Sequence, residues 1–576
     1  MPRGVVTQTV SRLRSLVREP QRIRHWLNLQ RDYAEFKARH GFLAEAGRLQ
    51  EPDKRALIVS LTEWVAEVKC EIMLATALRL RGWSPVVLTR SDYTWAQRYF
   101  KASGIDQFVF FDQALAELDG GTGLWPQLAE ALVTPCGTVR DLLDLKFRNV
   151  YVGRHVISTI VRALRCGHAD LRDPQVAAGL RELLPQSLQA VHAAERVVET
   201  VDPQLVLFLE KGYSPYGELF DVAVNRGINT VQWSHGHRSD AFVLKRYTDT
   251  NRHVHPFSLS PETWNRVRQV PWSEEAEREL SEELVGRYEQ GSWFSRKFLH
   301  VGKRMKPAEE VRRQLGLRLD KKTAVVFSHV LWDATFFFGE NLFDDYETWL
   351  IETVKAACAN EALNWVIKLH PDYVWKLKAM GGGEVRDRLA LAAQIGSLPP
   401  HVRLLEPETD LSTFSLFGVT DYGLTVRGTI GVELPCFGIP VFTAGTGRYS
   451  GFGFTIDSAS RAEYLERLGR IQTFPRLTAA QTELAKTHAY ALLRLRPCPF
   501  TTFEMVQSRL EELGHPLDHN VVIRAESHGE LTAAEDLRRF AKWAGDPSRE
   551  DYLLREPAVE PIKPEPAVVP AGSGAR

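Results

Sequence analysis

Short apolar runs alternate with helical stretches along most of this chain, and the alternation occurs twice. In the first series Ala56–Leu61 reads as a buried strand and Val65–Arg81 as a helix stopped at Gly82, followed by strands at Pro85–Thr89 and Phe108–Phe111. A long helical section over roughly 123–200 comes next. Strand Leu205–Leu209, a helix over Tyr216–Arg226 stopped at Gly227, and strand Thr230–Trp233 complete the series. A charged helix near 273–290 and a polar stretch to about 320 lead to the second series. Its elements are strand Ala324–Phe327, helix Tyr346–Asn360, strands Trp365–Leu369 and Val402–Leu405, a strand–loop–helix–strand unit over 421–443, and helices from Arg461 on. Continuous apolar strands separated by helices belong to parallel sheets covered on both faces.

The pattern predicts an α/β fold: two Rossmann-like doubly wound domains facing a cleft, with helical extensions at both ends. The expected divisions are a basic helical segment over 1–48, a first domain over 49–270, a second over 291–475, helices over 476–556, and a disordered tail rich in Pro and Ala over 557–576. At 576 residues the chain is too long for a single core. Lys plus Arg and Asp plus Glu each number 72, so no net charge argues for nucleic acid. The six cysteines form no CxxC pair, which fits a reducing compartment and speaks against a disulfide framework or zinc cluster. No apolar run approaches the roughly 20 residues of a membrane span, and the N-terminus lacks a signal-peptide pattern. A cytoplasmic protein is expected, with a possible hold on the inner face of the cytoplasmic membrane. Arg12, Arg14, Arg18, Arg22, Arg24 and Arg31 alternate with apolar Val10, Leu13, Leu16, Val17, Ile23, Trp26 and Leu27 around Pro20. That segment either rests on anionic lipid or packs on the body with a solvated basic face.

The stretch DYGLTVRGTIGVELPCFGIPVFTAGTGRYSGFGFT, 421–455, reads as a strand end, a glycine-containing loop, a short helix opened by Thr429 and closed at Gly438, and a buried strand. Free N–H groups at such a helix start hold anions, and Glu433 one turn on could accept from a sugar hydroxyl. In NWVIKLHPDY, Lys368 and His370 lie two apart and project to one face, with Pro371 ending the strand. An imidazole there can donate to a phosphate oxygen or protonate a leaving phosphate, while Lys368 adds charge. The first series offers VQWSHGHRSD, which places His235 at a strand's carboxyl end as a base for an acceptor hydroxyl; Glu210 and Asp240 are rival bases. His329 and Asp333 follow a strand and could line the cleft. Trp332, Phe336, Phe337 and Phe338 beside them read as packing. No Ser-His-Asp elbow, HExxH helix or Walker loop is present.

SHVLWDAT, LFDDYETWLIETV, VIKLHPD and the 425–455 stretch resemble, in that order, the capsule polysaccharide biosynthesis family, over roughly residues 320–470. The resemblance implies a GT-B type glycosyltransferase, some relatives of which move Kdo from CMP-Kdo. His370-Pro371 is similar to the His-Pro motif of bacterial sialyltransferases. The pairing of His235-Gly236 with His370-Pro371 resembles polyol-phosphate polymerases of teichoic acid synthesis. A cytidine nucleotide is the implied leaving group, with the first domain holding a lipid-linked or polysaccharide acceptor and the second the nucleotide-sugar donor. Lys368, His370, Arg427, Gly428, Thr429, Gly431, Glu433, His329 and Tyr449 form the implied donor set, with no cofactor and no metal. The chain departs from the family where Ser450-Gly451-Phe452-Gly453 replaces Arg-Gly-Lys-Gly. It also has Lys368 and Asp372-Tyr373 where an Arg and a small residue followed by an acid are more usual. A CDP-polyol transferase and a non-catalytic assembly or export partner are the alternatives.

Overall fold

A computed structural model describes residues 23–46, 54–118, 123–289, 293, 302–379, 382–507 and 519–556. The first alternation builds a seven-stranded sheet from β1 (Lys54–Val59), β2 (Trp83–Thr89), β3 (Phe108–Phe110), β4 (Leu205–Phe208), β5 (Asn229–His235), β6 (Ala241–Tyr247) and a late strand, β13 (Pro497–Pro499). The second builds a six-stranded sheet from β7 (Thr323–Phe327), β8 (Asn364–Lys368), β9 (Val402–Leu405), β10 (Tyr422–Thr425), β11 (Val441–Thr443) and β12 (Ile456–Asp457). The orders are β13-β6-β5-β4-β1-β2-β3 and β12-β11-β10-β7-β8-β9. In the second sheet every pairing is parallel. In the first, β6 runs antiparallel to β5 and to β13.

Each sheet thus reads 3-2-1-4-5 from one edge, with the winding reversing between its first and fourth strands. A crevice opens at that reversal because the two neighbouring connections leave to opposite faces, and ligands sit there at the strands' carboxyl ends. The crevices lie between β1 and β4 and between β7 and β10. Two of the flanking helices carry ordinary side-chain caps. Asp173 accepts from the Gln175 and Val176 amides to open helix Pro174–Val201, and Asp345 accepts from the Thr348 amide at 2.7 Å to open helix Tyr346–Ala359. One continuous apolar cluster includes Leu57 and Val206 of the first sheet and Val326, Ile367 and Leu424 of the second.

Three sequence expectations need correction. β5 extends through His235 and turns back into β6, a strand hidden from the pattern by Lys245 and Arg246. Those charges are buried with partners: Lys245 Nζ lies 3.0 Å from Asp551 Oδ1, which also takes Arg496 Nη1 at 3.1 Å. Second, 476–556 is not helical throughout. It adds β13 to the first sheet and forms a hairpin of β14 (Phe503–Gln507) and β15 (His519–Ile523). Third, the described part of 1–48 belongs to the body. Leu29 and Phe36 of the helix over 23–40, with Leu43 beyond it, enter the core beneath helix Val65–Arg79, and Asp32 is 2.8 Å from Lys69 Nζ. Residues 1–22 and the expected tail 557–576 lie outside the described residues.

Candidate functional site

The crevice between β7 and β10 opens into a cavity of about 290 Å³. Its walls come from the segments just past three strands: Ser328 and His329 after β7, Leu369 and His370 after β8, and Arg427 to Ile430 after β10. Lys368, the last residue of β8, is buried in this wall. Burial holds its ammonium down to about 7, and the charges of Lys303 and Arg287 add to the effect. Among the described residues no carboxylate pairs with it.

Arg427 likewise meets no carboxylate among the described residues. Arg427 donates to neutral acceptors, Glu340 O at 3.0 Å, Asn341 Oδ1 at 2.6 Å and Tyr346 Oη at 3.3 Å. Arg448 donates to the Arg427 carbonyl at 3.1 Å. The two cavity acids are already matched: Lys376 bonds to Asp333 and lies 3.7 Å from Asp372. Burial pushes the Asp333 carboxyl up, but Lys376 outweighs it and keeps the group below its ordinary range. The balance of the cavity is therefore cationic.

Neutral donors complete it. His329 Nε2 accepts from the Val426 amide at 3.2 Å and lies 3.1 Å from Thr425 Oγ1, which assigns the proton to Nδ1. Burial, with Arg427 and Arg448 nearby, holds this imidazole down to about 3, so it is an uncharged donor. His255 is similar: Nδ1 accepts from the Phe257 amide at 3.0 Å, leaving Nε2–H, and burial depresses its proton affinity strongly. His370 Nδ1 accepts from the Asp372 amide at 3.2 Å. The amides of Thr429 and Ile430 have no acceptor among the described residues, and both residues line the cavity.

His255 arrives from the first series. Its amide donates to Gly447 O at 2.8 Å, and Gly339 N donates to His253 O at 2.5 Å. Gly339 and Gly447 make this crossing possible. Both have positive φ, and a Cβ on Gly339 would stand 2.3 Å from Thr446 O.

A second cavity of about 320 Å³ adjoins the first, sharing His255, Thr429 and Arg448. Its other walls are mostly apolar, with Phe257, Trp293, Val432, Leu492 and Leu493, and it carries His235 and His237. His235 Nε2 lies 3.7 Å from Glu67 Oε1, and neither ring nitrogen has a hydrogen-bond partner among the described residues.

The fold thus gathers Lys368, His370, Arg427, Gly428, Thr429 and His329 around one cavity and puts His235 in the adjoining one. Other expected residues stand apart. Gly431 makes room for the Tyr449 ring, which a Cβ would approach to 2.2 Å, and Tyr449 Oη donates to Gly428 O at 2.7 Å; both shape the loop from behind. Glu433 accepts from Arg287 and Tyr288 and borders the second cavity. Glu210 accepts the amides of Lys211 at 2.8 Å and Gly212 at 3.2 Å, and Asp240 is held by Arg238 at 2.8 and 2.6 Å in a separate surface depression. Neither borders the two joined cavities. Arg287, Tyr288, Arg448 and His255 escaped the sequence reading. Arg287 and Tyr288 sit at the end of a Glu-rich helix that reads as a linker, and His255 lies in a segment with no periodic pattern.

Among the described residues no group of three His, Cys, Asp or Glu could hold a metal, and no helix is long and apolar enough to cross a membrane. No family model and no curated protein matches the chain. Among solved structures it is similar to the KpsC beta Kdo 2,7 transferase of Thermosulfurimonas dismutans, at 16% identity over 54% of this chain and 82% of that one, with a TM-score of 0.32. The KpsC beta Kdo 2,4 transferase of that organism gives 14% identity, 51% and 81% coverage, and a TM-score of 0.30. The UDP-GlcNAc 2-epimerase of Neisseria meningitidis bound to UDP-GlcNAc gives 13%, 76%, 97% and 0.23. Similarity at this level leaves the fold and the site resting on the strand orders and side chains described above.

Proposed function

We propose that the protein is a GT-B type glycosyltransferase of surface polysaccharide assembly, taking a sugar from a cytidine nucleotide, with Kdo on CMP as the leading donor. The observation that carries this reading is the surplus of cations at the β7/β10 crevice, where Lys368 and Arg427 meet no carboxylate among the described residues. A buried cluster of that kind is costly unless an anion completes it. The nucleotide phosphate is that anion, held by Lys368, His370, Arg427 and the amides of Thr429 and Ile430.

In the reaction the acceptor oxygen attacks the anomeric carbon and the bond from that carbon to the phosphate oxygen breaks. His235 takes the hydroxyl proton from the side of the second cavity. The electron pair leaves with the nucleoside phosphate, whose charge the cationic wall stabilises most as it develops. No metal or cofactor is needed for those steps. Residues 1–22, basic and apolar by turns, with exposed Ile23, Trp26 and Leu27 following them, are proposed as a weak hold on an anionic leaflet.

Calorimetric titration with CMP, CDP and UDP tests the reading. Binding of CMP that is lost in Lys368→Met supports it. Preference for CDP with turnover of CDP-polyols moves the protein to polyol-phosphate transfer. Binding of none of the three leaves a non-catalytic assembly partner.

A further inference from the structure

Helix Glu274–Glu289 connects the two series and delivers Arg287 and Tyr288 to the wall of the first cavity. Its outer side is fastened to the C-terminal helices. Lys486 Nζ lies 2.7 and 2.8 Å from the Glu277 oxygens, Tyr490 Oη donates to Glu279 at 2.7 Å, and Arg494 reaches Glu283 at 3.4 Å. The last turn is thereby held against the cleft. Arg287 lies over the Trp293 ring at 4.2 Å and donates from Nη1 to Glu433 Oε1, while Tyr288 Oη donates to Oε2. Glu433 is 1% exposed, and its two oxygens are each engaged within the protein. It borders the apolar cavity, whereas Arg287 borders the cationic one beside Lys368, close enough to repel that ammonium. The Arg287 Nε is buried without a partner among the described residues.

Two like charges that line one buried cavity are stabilised when an anion lies between them. A guanidinium with one edge clamped still has further N–H donors in a fixed plane. We infer that Arg287 is a phosphate ligand of the donor cleft, delivered by the connecting helix, and that Glu433 and Tyr288 are its positioning residues, Glu433 making no contact with sugar hydroxyls. The inference rests on the anion-site reading above and reassigns the residue that the sequence offers as a hydroxyl acceptor.

The test uses the full chain, with pyrophosphate as an anion without a sugar, and CMP against its 2′,3′-dideoxy analogue as a probe of ribose hydroxyls. Arg287→Gln is expected to weaken pyrophosphate at least tenfold, with partial recovery in Arg287→Lys. That penalty should shrink at least threefold in a Glu433→Gln background, because the two residues act as one unit. The preference for CMP over the dideoxy analogue should be the same in Glu433→Gln as in the unmodified protein. Unchanged pyrophosphate affinity in Arg287→Gln, or loss of the ribose preference in Glu433→Gln, overturns the inference. If Glu433→Gln does not fold, Tyr288→Phe leaves the ion pair in place and is expected to weaken pyrophosphate twofold to fivefold; no change there overturns the positioning role. Pyrophosphate binding without nucleotide binding defeats the nucleotide reading while Arg287 is still judged by its own variants. Binding of neither probe defeats both.

Discussion

The two sheets share a strand order and differ in what fills the crevice. The crevice at β7 and β10 is lined by Lys368, Arg427, Arg448 and two uncharged imidazoles, His329 and His255. Past β1 and β4 the side chains are acidic: Glu67 and Glu71 on helix Val65–Arg79, and Glu210 after β4. Burial raises the Glu71 carboxyl to about 8, with Glu67 adding like-charge repulsion, and burial raises Glu210 as well. One backbone frame thus yields a crevice lined by cations in one half and, in the other, a carboxylate-rich one with His235 at its edge. The winding supplies the hollow, and the side chains at the strand ends decide its chemistry.

The largest expected effect breaks the cationic half. His370→Ala should lower transfer from the nucleotide sugar by about 10³ or more with the fold intact by circular dichroism. Retention of over about a tenth of the activity, a barrier change of only ~1.4 kcal/mol, removes His370 from phosphate contact and acid catalysis.

Next comes the other half. His235→Ala should lower transfer by roughly 10²–10⁴, the span of a general base, with CMP affinity unchanged. Asp240→Asn, in its separate depression, should stay within about a factor of two. The reverse ranking in steady-state assays would move the base to Asp240.

The crevices should also respond oppositely to pH in denaturation. Glu71 keeps its proton to about 8 when folded and releases it near the ordinary 4.5 when unfolded, so its contribution to stability falls as pH rises through that window. Lys368 loses its proton near 7 when folded and near 10.5 when unfolded, so stability rises with pH between those values. Glu71→Gln should flatten the first slope, a difference of roughly 1–4 kcal/mol between pH 5 and pH 8 at about 1.4 kcal/mol per unit. Lys368→Met should stabilise the protein at pH 7 by an amount of similar order while removing phosphate binding. Slopes that do not change in urea titrations would show that neither group carries its charge penalty in the native fold.

The smallest effect lies outside both crevices. Deleting 1–22 should release the protein from anionic vesicles by about 1 kcal/mol per basic residue lost near the surface, with activity on a soluble acceptor unchanged. A longer cut, through 48, should unfold the first half, because Leu29, Phe36 and Leu43 are core residues. Undiminished vesicle binding after the short cut would put any membrane contact elsewhere.

Much was legible because it is local. Most of the parallel strands announced themselves as apolar runs, and Pro371, Gly227 and Gly438 marked element ends in the sequence. His370 and Thr429 could be put at strand and helix ends by counting. β6 was not legible, since Lys245 and Arg246 look solvated until Asp551, some three hundred residues later, is known to pair with Lys245. Glu433 shows why the site itself was only half readable. Its place one turn into the helix followed from the sequence, but its partners Arg287 and Tyr288 come from a helix nearly 150 residues upstream. Spacing along a chain fixes which face a side chain takes and where an element stops. Which charges are left unmatched depends on distances between segments far apart in sequence, and those are set only when the two sheets pack across a shared core.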